Sequence, residues 1–534
     1  MPAPRKNLVL LACILGSGIA FLDGTIVNVA LPAIADDLDA GLSVQQWVVE
    51  AYLLTLGSLL LIGGSLGDLF GRRKVFQLGV AAFGATSLLC AIAPSSEVLI
   101  AARALQGVAG ALLVPSTMGI IVATFPERER GRAIGQWTAW TGIATVIGPL
   151  AGGVLVEAVS WRLVFLVNLP FAVACMMLIA RALPGPEIVA SPRPRVDVKG
   201  AALVSLGLAG PVFALIEQPR YGWEDPVILA PLVLGVVLLV AFGLVERGER
   251  DPMVPFSMFR SRNFSAGNAA TFAIYAGLGL PFFFLVLFLQ QVGDYAPVQA
   301  GLALLPVTAL MFALSKRFGA LADRFGPHWF MTLGPAIAAV GLALMLRLDS
   351  GADYLGDLLP ALLVFGLGLA MTVAPLTATV LGGVETEHAG VASGINNAIA
   401  RVSGLLAVAA VGAAVSAQFA SALDARVAAP PLSDAGQAYV ADARTRPLAA
   451  GDPVALRATE RARVTRAVDD ASVQAFHLSI GVAALLVLAG GVISLVAVRD
   501  PKRVVPCEAC PGGAVVGQSQ DLGHAAPVGA AATG

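Results

Sequence analysis

The sequence predicts an all-α membrane protein in which fourteen helices cross the bilayer, in the order six, two and six. Of its 534 residues, 57% are hydrophobic and only 13% are charged, whereas a soluble domain carries roughly 25% charged residues. Long apolar segments follow one another with short polar breaks, and each approaches the roughly 20 residues that a helix needs to cross a bilayer. The chain therefore belongs with the multispanning membrane proteins.

The candidate spans fall into three groups. A proline-rich linker follows the sixth span, a polar stretch follows the eighth, and a long polar segment precedes the last. The predicted spans cover residues 8–31, 44–66, 75–93, 98–124, 132–156, 163–182, 198–216, 226–245, 263–290, 298–321, 328–348, 356–381, 391–418 and 475–498.

This order divides the chain into four parts. The second bundle includes a polar segment, 419–474, which we interpret as a mobile external loop, although 454–468 is rich enough in Ala and Arg to form a helix. The predicted parts are a six-helix bundle over 8–182, a linker with two extra helices over 183–261, a second six-helix bundle over 262–498 and a disordered cytoplasmic tail over 499–534.

The tail is rich in Gly, Ala and Pro, a composition that favours disorder. Its Cys507 and Cys510 form a lone CxxC pair with no second pair nearby. A flexible tail explains this pair more simply than a metal site does.

Positive charges predict the orientation of the chain. Lys and Arg cluster in alternate loops, whereas the short loops on the opposite side hold only Arg162, Arg220 and Arg347. Loops rich in Lys and Arg stay in the cytoplasm. We therefore expect a multi-pass protein of the cytoplasmic (inner) membrane with both termini in the cytoplasm.

Three charged residues lie deep within the predicted spans of the first bundle: Asp23, Glu50 and Arg103. Their depths from the external face are roughly 13, 9 and 8 Å at 1.5 Å per residue. An intramembrane charge by default marks an ion or substrate path. Because one cation cannot fully compensate two acids, one acid is expected to alternate between a proton and a cationic substrate. The alternative is that Arg103 only locks two helices together.

The fifth span carries closely spaced small residues and a proline: Gly148, Pro149, Gly152 and Gly153. Small residues let helices approach closely, and a proline bends its helix. The pattern fits an element that flexes or packs at a moving interface, and it also fits simple close packing.

A glycine-bounded motif occurs twice. Residues 64–74 read GSLGDLFGRRK after the second span, and residues 319–326 read GALADRFG after the tenth. Two halves related by an axis along the membrane normal would place both copies on the cytoplasmic side. A single copy would suit a topogenic charge cluster, whereas two copies in register favour a gate. The predicted gate residues are Gly64, Asp68, Gly71, Arg72, Arg73, Asp323 and Arg324.

These motifs resemble those of the major facilitator superfamily, in particular its fourteen-span drug:proton antiporter family. Residues 64–74 resemble the superfamily's loop signature, and residues 22–32 resemble the family's first-helix motif. Arg103 with Gln106-Gly107 resembles the fourth-helix motif assigned to proton coupling, and residues 148–153 resemble the fifth-helix antiporter motif.

The resemblance implies the major facilitator fold, with two pseudo-symmetric six-helix bundles. It also implies that Asp23 and Glu50 handle protons and a cationic substrate, and that Asp68 and Arg72 belong to an inner gate. The residues around the start of the sixth span fit the family pattern as well, namely Trp161, Arg162, Phe165, Asn168, Leu169 and Pro170.

Further polar residues within the spans are candidates for a cavity lining. In the thirteenth span, Asn397 and Arg401 are four residues apart and share a helix face. A structural role for them is equally open. The full set of candidates is Asn28, Gln106, Asn396, Asn397 and Arg401.

The expected function is multidrug or antibiotic efflux, in which an amphipathic organic compound leaves in exchange for an inward-moving proton. We expect no catalytic residue, no metal, no cofactor and no nucleic acid, with the proton gradient as the energy source. The expected partners are protons, membrane lipid and a small amphipathic substrate, with a cation favoured by the buried acids. We expect a monomer.

Two alternatives remain open from the sequence. A metabolite uniporter or proton symporter would keep the same fold. A multispanning enzyme or receptor is more remote, since the chain has no HExxH, GxSxG or P-loop lysine motif.

Overall fold

The computed structural model of the chain describes residues 6–182, 197–249, 252–384, 389–428, 431–448 and 456–500. Throughout these ranges the regular structure is helical. The linker residues 183–196, and the tail beyond 500 with its Cys507 and Cys510, lie outside the described residues. The α-helices are α1 (Lys6–Asp37), α2 (Leu42–Phe70), α3 (Arg72–Ala91), α4 (Ser96–Thr124), α5 (Glu127–Ala158), α6 (Leu163–Leu166), α7 (Asn168–Ala182), α8 (Val198–Tyr221), α9 (Pro226–Gly248), α10 (Arg262–Gln291), α11 (Pro297–Ala303), α12 (Leu305–Phe325), α13 (Pro327–Leu344), α14 (Leu359–Gly382), α15 (Ala389–Val427), α16 (Asp434–Ala443) and α17 (Ala458–Ala497).

The predicted spans all correspond to helices. Among the described residues, thirteen helical segments are long and apolar enough to cross a membrane, and α2, with 29 residues, lies at the second predicted span. Two spans consist of two helices each, α6 with α7 and α11 with α12. The prediction of fourteen helices in the order six, two and six is confirmed. After fourteen crossings Lys6 and Val498 lie on one side, which we call the terminal face. The opposite side is the distal face.

The two six-helix bundles pack their helices in the same pattern. In the first bundle α1 packs against α5 and α7, and α4 packs against α2 and α3. In the second, α10 packs against α15 and α17, and α14 packs against α12 and α13. Each pairing in one half thus has its counterpart in the other, as expected for a parallel internal repeat. The two extra helices, α8 and α9, pack against each other, and α8 also contacts α2 and α15.

The repeated glycine motif forms the same turn in both bundles. Gly71 connects α2 to α3 with a φ of 97°, and Gly326 connects α12 to α13 with a φ of 94°. A side chain is strained at such positive φ values, so glycine is the residue that makes this sharp turn without cost. Both turns lie on the terminal face because each follows an even-numbered span. The repeat seen in the sequence is therefore also a repeat in backbone conformation.

The polar segment before the last span differs from the expected mobile loop. Helices α15 and α17 have 39 and 40 residues, and at 1.5 Å per residue each is roughly 60 Å long, about twice the hydrocarbon thickness of a bilayer. Both extend past the distal face, and α16 lies between them. Extending an existing helix needs no new nucleation, and the many alanines of this segment favour it. The helical alternative for this stretch agrees with the structure.

Ion pairs tie the extended segment together at the distal face. Arg444 pairs with Asp424 at 2.6 Å, and Arg446 pairs with Asp39 in the α1–α2 loop at 2.7 Å. Since these groups are partly exposed, each pair contributes little to stability by itself. The second pair nevertheless places the segment against the distal end of the first bundle.

The glycine turns generate a stability prediction. Gly71→Ala and Gly326→Ala should each lower the thermal midpoint of the purified protein in detergent, since holding a non-glycine residue in a sparsely populated backbone region costs about 1–3 kcal/mol. The matched control is Gly243→Ala in α9, where an added Cβ meets no atom within 4 Å and alanine is the better helix former. Equal midpoints for all three variants would contradict the argument.

Candidate functional site

Asp23, in the middle of α1, forms an ion pair in the interior of the first bundle. Its Oδ2 accepts a hydrogen bond from Nη1 of Arg103 on α4 at 2.5 Å. The exposed fractions of the two residues are 0% and 1%. The structure therefore brings together two of the three charged residues that the sequence places at one depth.

Two amides complete the environment of this carboxylate. Nε2 of Gln106 and Nδ2 of Asn168 each donate a hydrogen bond to Oδ1 of Asp23 at 3.0 Å. Both amides also donate to the hydroxyl oxygen of Ser87 on α3, at 2.9 and 3.3 Å. Asp23 thus has a donor for each oxygen, and helices α1, α3, α4 and α7 meet at one polar point.

Arg103 is also held from several sides. Its Nε donates to the carbonyl oxygen of Val48 at 2.8 Å, and its Nη1 donates to Oε1 of Gln106 at 2.6 Å. Its guanidinium carbon lies 4.4 Å from the ring centroid of Tyr52 and 5.7 Å from that of Phe165. Cation–π contact of this kind strengthens when the cation is removed from water. Arg103 therefore has partners on helices α1, α2, α4 and α6.

Glu50 is fully buried on α2 but does not join this network. On α2, the carbonyl group of Val48 and the ring of Tyr52 both contact Arg103. Since successive residues are about 100° apart around a helix, Glu50 points to the opposite side. Neither of its carboxylate oxygens has a hydrogen-bond partner among the described residues. The three charged residues do not form one cluster, because similar depth in the membrane does not place side chains on facing sides of their helices.

The neighbours of Glu50 on its own helix face the second bundle and the extra helices. Nε2 of Gln46 donates to the carbonyl oxygen of Val408 on α15 at 2.8 Å. Nε1 of Trp47 donates to the carboxylate of Glu217 on α8 at 2.8 Å. Residues three and four apart share a helix face, so Glu50 lies where α2 meets α8 and α15.

The glycines of the fifth span have two different neighbours. A Cβ added at Gly152 would lie 2.8 Å from Cγ1 of Ile26 on α1, and one at Gly148 would overlap the hydroxyl of Thr25. A Cβ at Gly153 would instead lie 2.5 Å from Cα of Val298 on α11, in the other bundle. The helix is thus closely packed on α1 with one side and on the second bundle with the other.

Reciprocal contacts keep the two bundles together near the distal face. A Cβ at Gly301 on α11 would lie 2.5 Å from the carbonyl oxygen of Pro149, and Nε2 of Gln290 on α10 donates to the carbonyl oxygen of Val29 on α1 at 3.2 Å. Together with Arg446 and Asp39, these contacts close the distal side.

The first predicted gate motif lies against α4. Nη1 of Arg72 donates to the carbonyl oxygen of Gly119 at 2.9 Å, and a Cβ at Gly64 would lie 3.6 Å from Cβ of Pro115. The side chain of Asp68 lies outside the described residues. Arg73 is partly buried at the start of α3. The motif is therefore packed on the terminal half of α4.

The second copy of the motif is more open. Asp323 and Arg324 are both exposed at the end of α12. The guanidinium of Arg324 lies 5.3 Å from the ring centroid of Phe325.

The candidate cavity residues do not share one environment. Nδ2 of Asn396 donates to Thr271 and Asn268 on α10 at 2.8 and 3.1 Å, so this amide joins helices within the second bundle. Asn397 is exposed and bonds to its own helix, and Oδ1 of Asn28 is buried with no partner in the described part of the chain. Gln106 belongs to the Asp23 network.

Arg401 lies at the contact between the two bundles. A Cβ added at Gly57 on α2 would lie 3.5 Å from Cβ of Arg401. Tyr52 on α2 and Tyr275 on α10 are in the neighbourhood of its guanidinium.

Sequence reasoning missed three residues around the Asp23–Arg103 pair as site candidates. Asn168 was recognised only as part of a family pattern, although a carboxamide within an apolar span was itself a signal. Ser87 gives no signal, since serines are common in spans and only its neighbours in space make it a hydrogen-bond acceptor. Tyr52 was equally inconspicuous.

The chain thus has two helical bundles related by an internal repeat. One bundle encloses a buried ion pair, and polar groups lie where the two bundles meet. These features define a multispanning membrane transporter. Comparison with known proteins specifies the class further. The family model of the Major Facilitator Superfamily matches residues 13–408. The chain belongs to this superfamily, and it is a transporter and not an enzyme.

The similar curated proteins are transport and resistance proteins. The puromycin resistance protein pur8 of Streptomyces alboniger is 38% identical over 76% of this chain and 81% of its own. The tetracenomycin C resistance and export protein of Streptomyces glaucescens is 35% identical over 76% and 74% of the two chains. The probable actinorhodin transporter of Streptomyces coelicolor is 35% identical over 77% and 73%.

Solved structures support the fold. An inward-facing, unoccupied bacterial homologue of the human lysosomal transporter Spinster superposes with a TM-score of 0.66 over 93% of this chain and 98% of its own, at 16% identity. A peptide transporter POT in complex with sulfate superposes with a TM-score of 0.61 over 92% and 94%.

The ion pair generates a double-variant prediction. Arg103→Gln should strongly destabilise the protein, by about 3–5 kcal/mol, because it leaves a buried carboxylate without its cation. Adding Asp23→Asn should restore part of the loss, since a neutral amide keeps the hydrogen bonds and removes the charge. Thermal midpoints of the single and double variants in detergent measure this. Losses that simply add in the double variant would contradict it.

The fifth-span glycines generate a matched pair of variants. Gly148→Ala and Gly153→Ala should each impair transport, because the new methyl group would displace α1 or α11. Gly142→Ala on the same helix should not, since an added Cβ there meets no atom within 4 Å. Efflux rates at equal expression distinguish the variants, and a loss in Gly142→Ala as large as in the others would argue against packing as the cause.

Proposed function

We propose that this transporter exports amphipathic organic compounds in exchange for protons, by alternating access between the two faces of the membrane. The observation that carries the proposal is the buried Asp23–Arg103 pair with its amide donors. A fully compensated carboxylate inside a membrane bundle is a group whose environment changes sharply when a proton arrives. Acids in this situation typically belong to proton relays in pumps and transporters.

The type of cargo is supported by the relatives. Two of them are named as antibiotic resistance proteins, and one of these also as an export protein. A chain more than one third identical to both over three quarters of its length is expected to move compounds of similar size. By this proposal the terminal face is cytoplasmic and export runs toward the distal face.

The carboxyl groups of Asp23 and Glu50 are the two candidate proton carriers, and their surroundings differ. Asp23 has a cation and two amide donors, an arrangement that suits the charged carboxylate. Glu50 has no hydrogen-bond donor in the described part of the chain and is completely buried, an arrangement that suits the neutral acid. In this conformation we therefore assign the negative charge to Asp23 and a proton to Glu50.

Protonation of Asp23 would change the network in a defined way. The neutral acid would no longer compensate Arg103, so the guanidinium would depend on Gln106, Val48 and two aromatic rings. Since these partners lie on α2, α4 and α6, the loss of the ion pair would weaken the attachment of these helices to α1. A proton can drive such a change only through its different affinity for the two states.

The bundle contacts support the direction of the movement. In this conformation the bundles meet near the distal face, through Gly153 with Val298 and through Gly301 with Pro149. Opening toward the distal face would require these close glycine contacts to separate. Backbone surfaces that touch without side chains in between can separate and reform readily, as a rocking movement of two repeats requires.

The proposal predicts that Asp23→Asn abolishes proton-linked efflux when equal amounts of folded protein are compared, since the variant also lowers the thermal midpoint by leaving Arg103 without its carboxylate. Purified protein in proteoliposomes with an internal pH dye should show no substrate-driven pH change, whereas wild-type protein should. The matched control is Glu224→Gln, which removes an exposed carboxylate in the α8–α9 loop.

Normal proton-linked efflux in the Asp23→Asn variant would refute the assignment of Asp23. A uniporter would give transport without any pH change in wild-type vesicles. A proton symporter would give a pH change of the opposite sign.

A further inference from the structure

The first bundle and the bundle contact each hold one arginine within the membrane, and their surroundings are opposite. Arg103 has a carboxylate, an amide, a carbonyl and two rings as partners. Arg401 has no hydrogen bond or ion pair with the residues that the structure describes, and Tyr52 and Tyr275 are in its neighbourhood.

The position of Arg401 excludes the membrane surface as its natural environment. It lies twelve residues into α15 from Ala389, which is roughly 18 Å along the helix at 1.5 Å per residue. Its side chain is partly accessible rather than sealed off. A lipid headgroup at the terminal face would thus have to leave the interface to reach it.

The nearby acids have other roles in this conformation. The carboxylate of Glu217 on α8 accepts from Trp47, and Asp23 accepts from Arg103. Glu50 faces α15 as well, but it does not lie within ion-pairing distance of Arg401 in the described structure. A guanidinium without an acid at this depth is costly, and an arginine at such a place is suited to bidentate binding of an oxyanion.

We infer that Arg401 binds an acidic group, a carboxylate or an ionised phenol, on the exported compound. This inference rests on the proposed function and names the class of cargo for it. It also reverses the charge that the buried acids alone suggest, because Asp23 is already paired with Arg103 and the proposed function assigns a proton to Glu50.

The same geometry links the cargo site to the proton site. The ring of Tyr52 lies 4.4 Å from the guanidinium carbon of Arg103, and Arg401 is in the neighbourhood of the same tyrosine. The hydroxyl of Tyr52 donates to the carbonyl oxygen of Ala20 on α1 at 3.2 Å. A compound held at Arg401 would therefore lie near the residue that packs on the Asp23–Arg103 pair.

The experiment compares acids with their neutral esters. A panel of aromatic carboxylic acids and phenols, each with its methyl ester or ether, is tested for binding to the purified full-length protein by quenching of tryptophan fluorescence. Wild-type protein should bind acids of the panel more tightly than their neutral counterparts. Arg401→Gln should weaken acid binding by about tenfold or more, as expected for loss of a charged hydrogen-bonding partner, and leave the esters and ethers unchanged. Arg401→Lys should keep part of the preference.

The control is Arg426→Gln, which removes an arginine from the distal part of the same helix. Equal binding of acids and esters by wild-type protein would overturn the inference, and so would a panel without any acid that binds. Equal losses for acids and esters in Arg401→Gln would also overturn it, since they would indicate a structural role.

Binding in detergent needs no proton gradient, so this test is separate from that of the antiport proposal. Loss of the acid preference in Arg401→Gln, together with normal proton-linked efflux in Asp23→Asn, would support the cargo site and refute the proton site. The reverse pair of results would do the opposite.

Discussion

The structure depends on one constraint: a charge inside the hydrocarbon region must be compensated by the protein itself. Asp23 meets it through an arginine and two amides, and Arg103 through a carboxylate, a carbonyl and aromatic rings. Because these partners come from α1, α2, α3, α4, α6 and α7, satisfying one acid fixes the relative positions of most of the first bundle. The ion pair is therefore both a site and the polar centre of the packing.

At the contact between the two bundles, some charged groups are not compensated by the protein. Glu50 and Arg401 lie on facing helices with no hydrogen-bond partner among the described residues. According to the two proposals, this contact opens and closes during transport, and a proton or an organic acid would compensate these groups. The close glycine contacts around α5 and α11 let the surfaces approach without interlocking side chains. Charged groups thus have polar partners inside the first bundle and lack them where the two bundles meet.

The outcome for particular residues shows where sequence reasoning is strong. The spans were predictable because the cost of inserting a segment into a bilayer depends on its own composition. The repeat of the glycine motif was predictable because a local backbone conformation requires Gly71 and Gly326. Glu50 was misplaced, since depth along a helix says nothing about which neighbour each face meets. The segment 419–474 was misjudged, because helices that continue beyond the membrane lose the hydrophobic signal that marks their ends.

By itself, then, the sequence determined the number and order of the spans, the internal repeat and the acids and bases that had to be compensated, since each of these depends on local composition or spacing. Only the tertiary structure decided the partners. It joined Asp23 to Asn168 across 145 positions of the chain, turned Glu50 away from Arg103 and left Arg401 without an acid. Such choices depend on how helices rotate and pack against one another, and no local pattern encodes that.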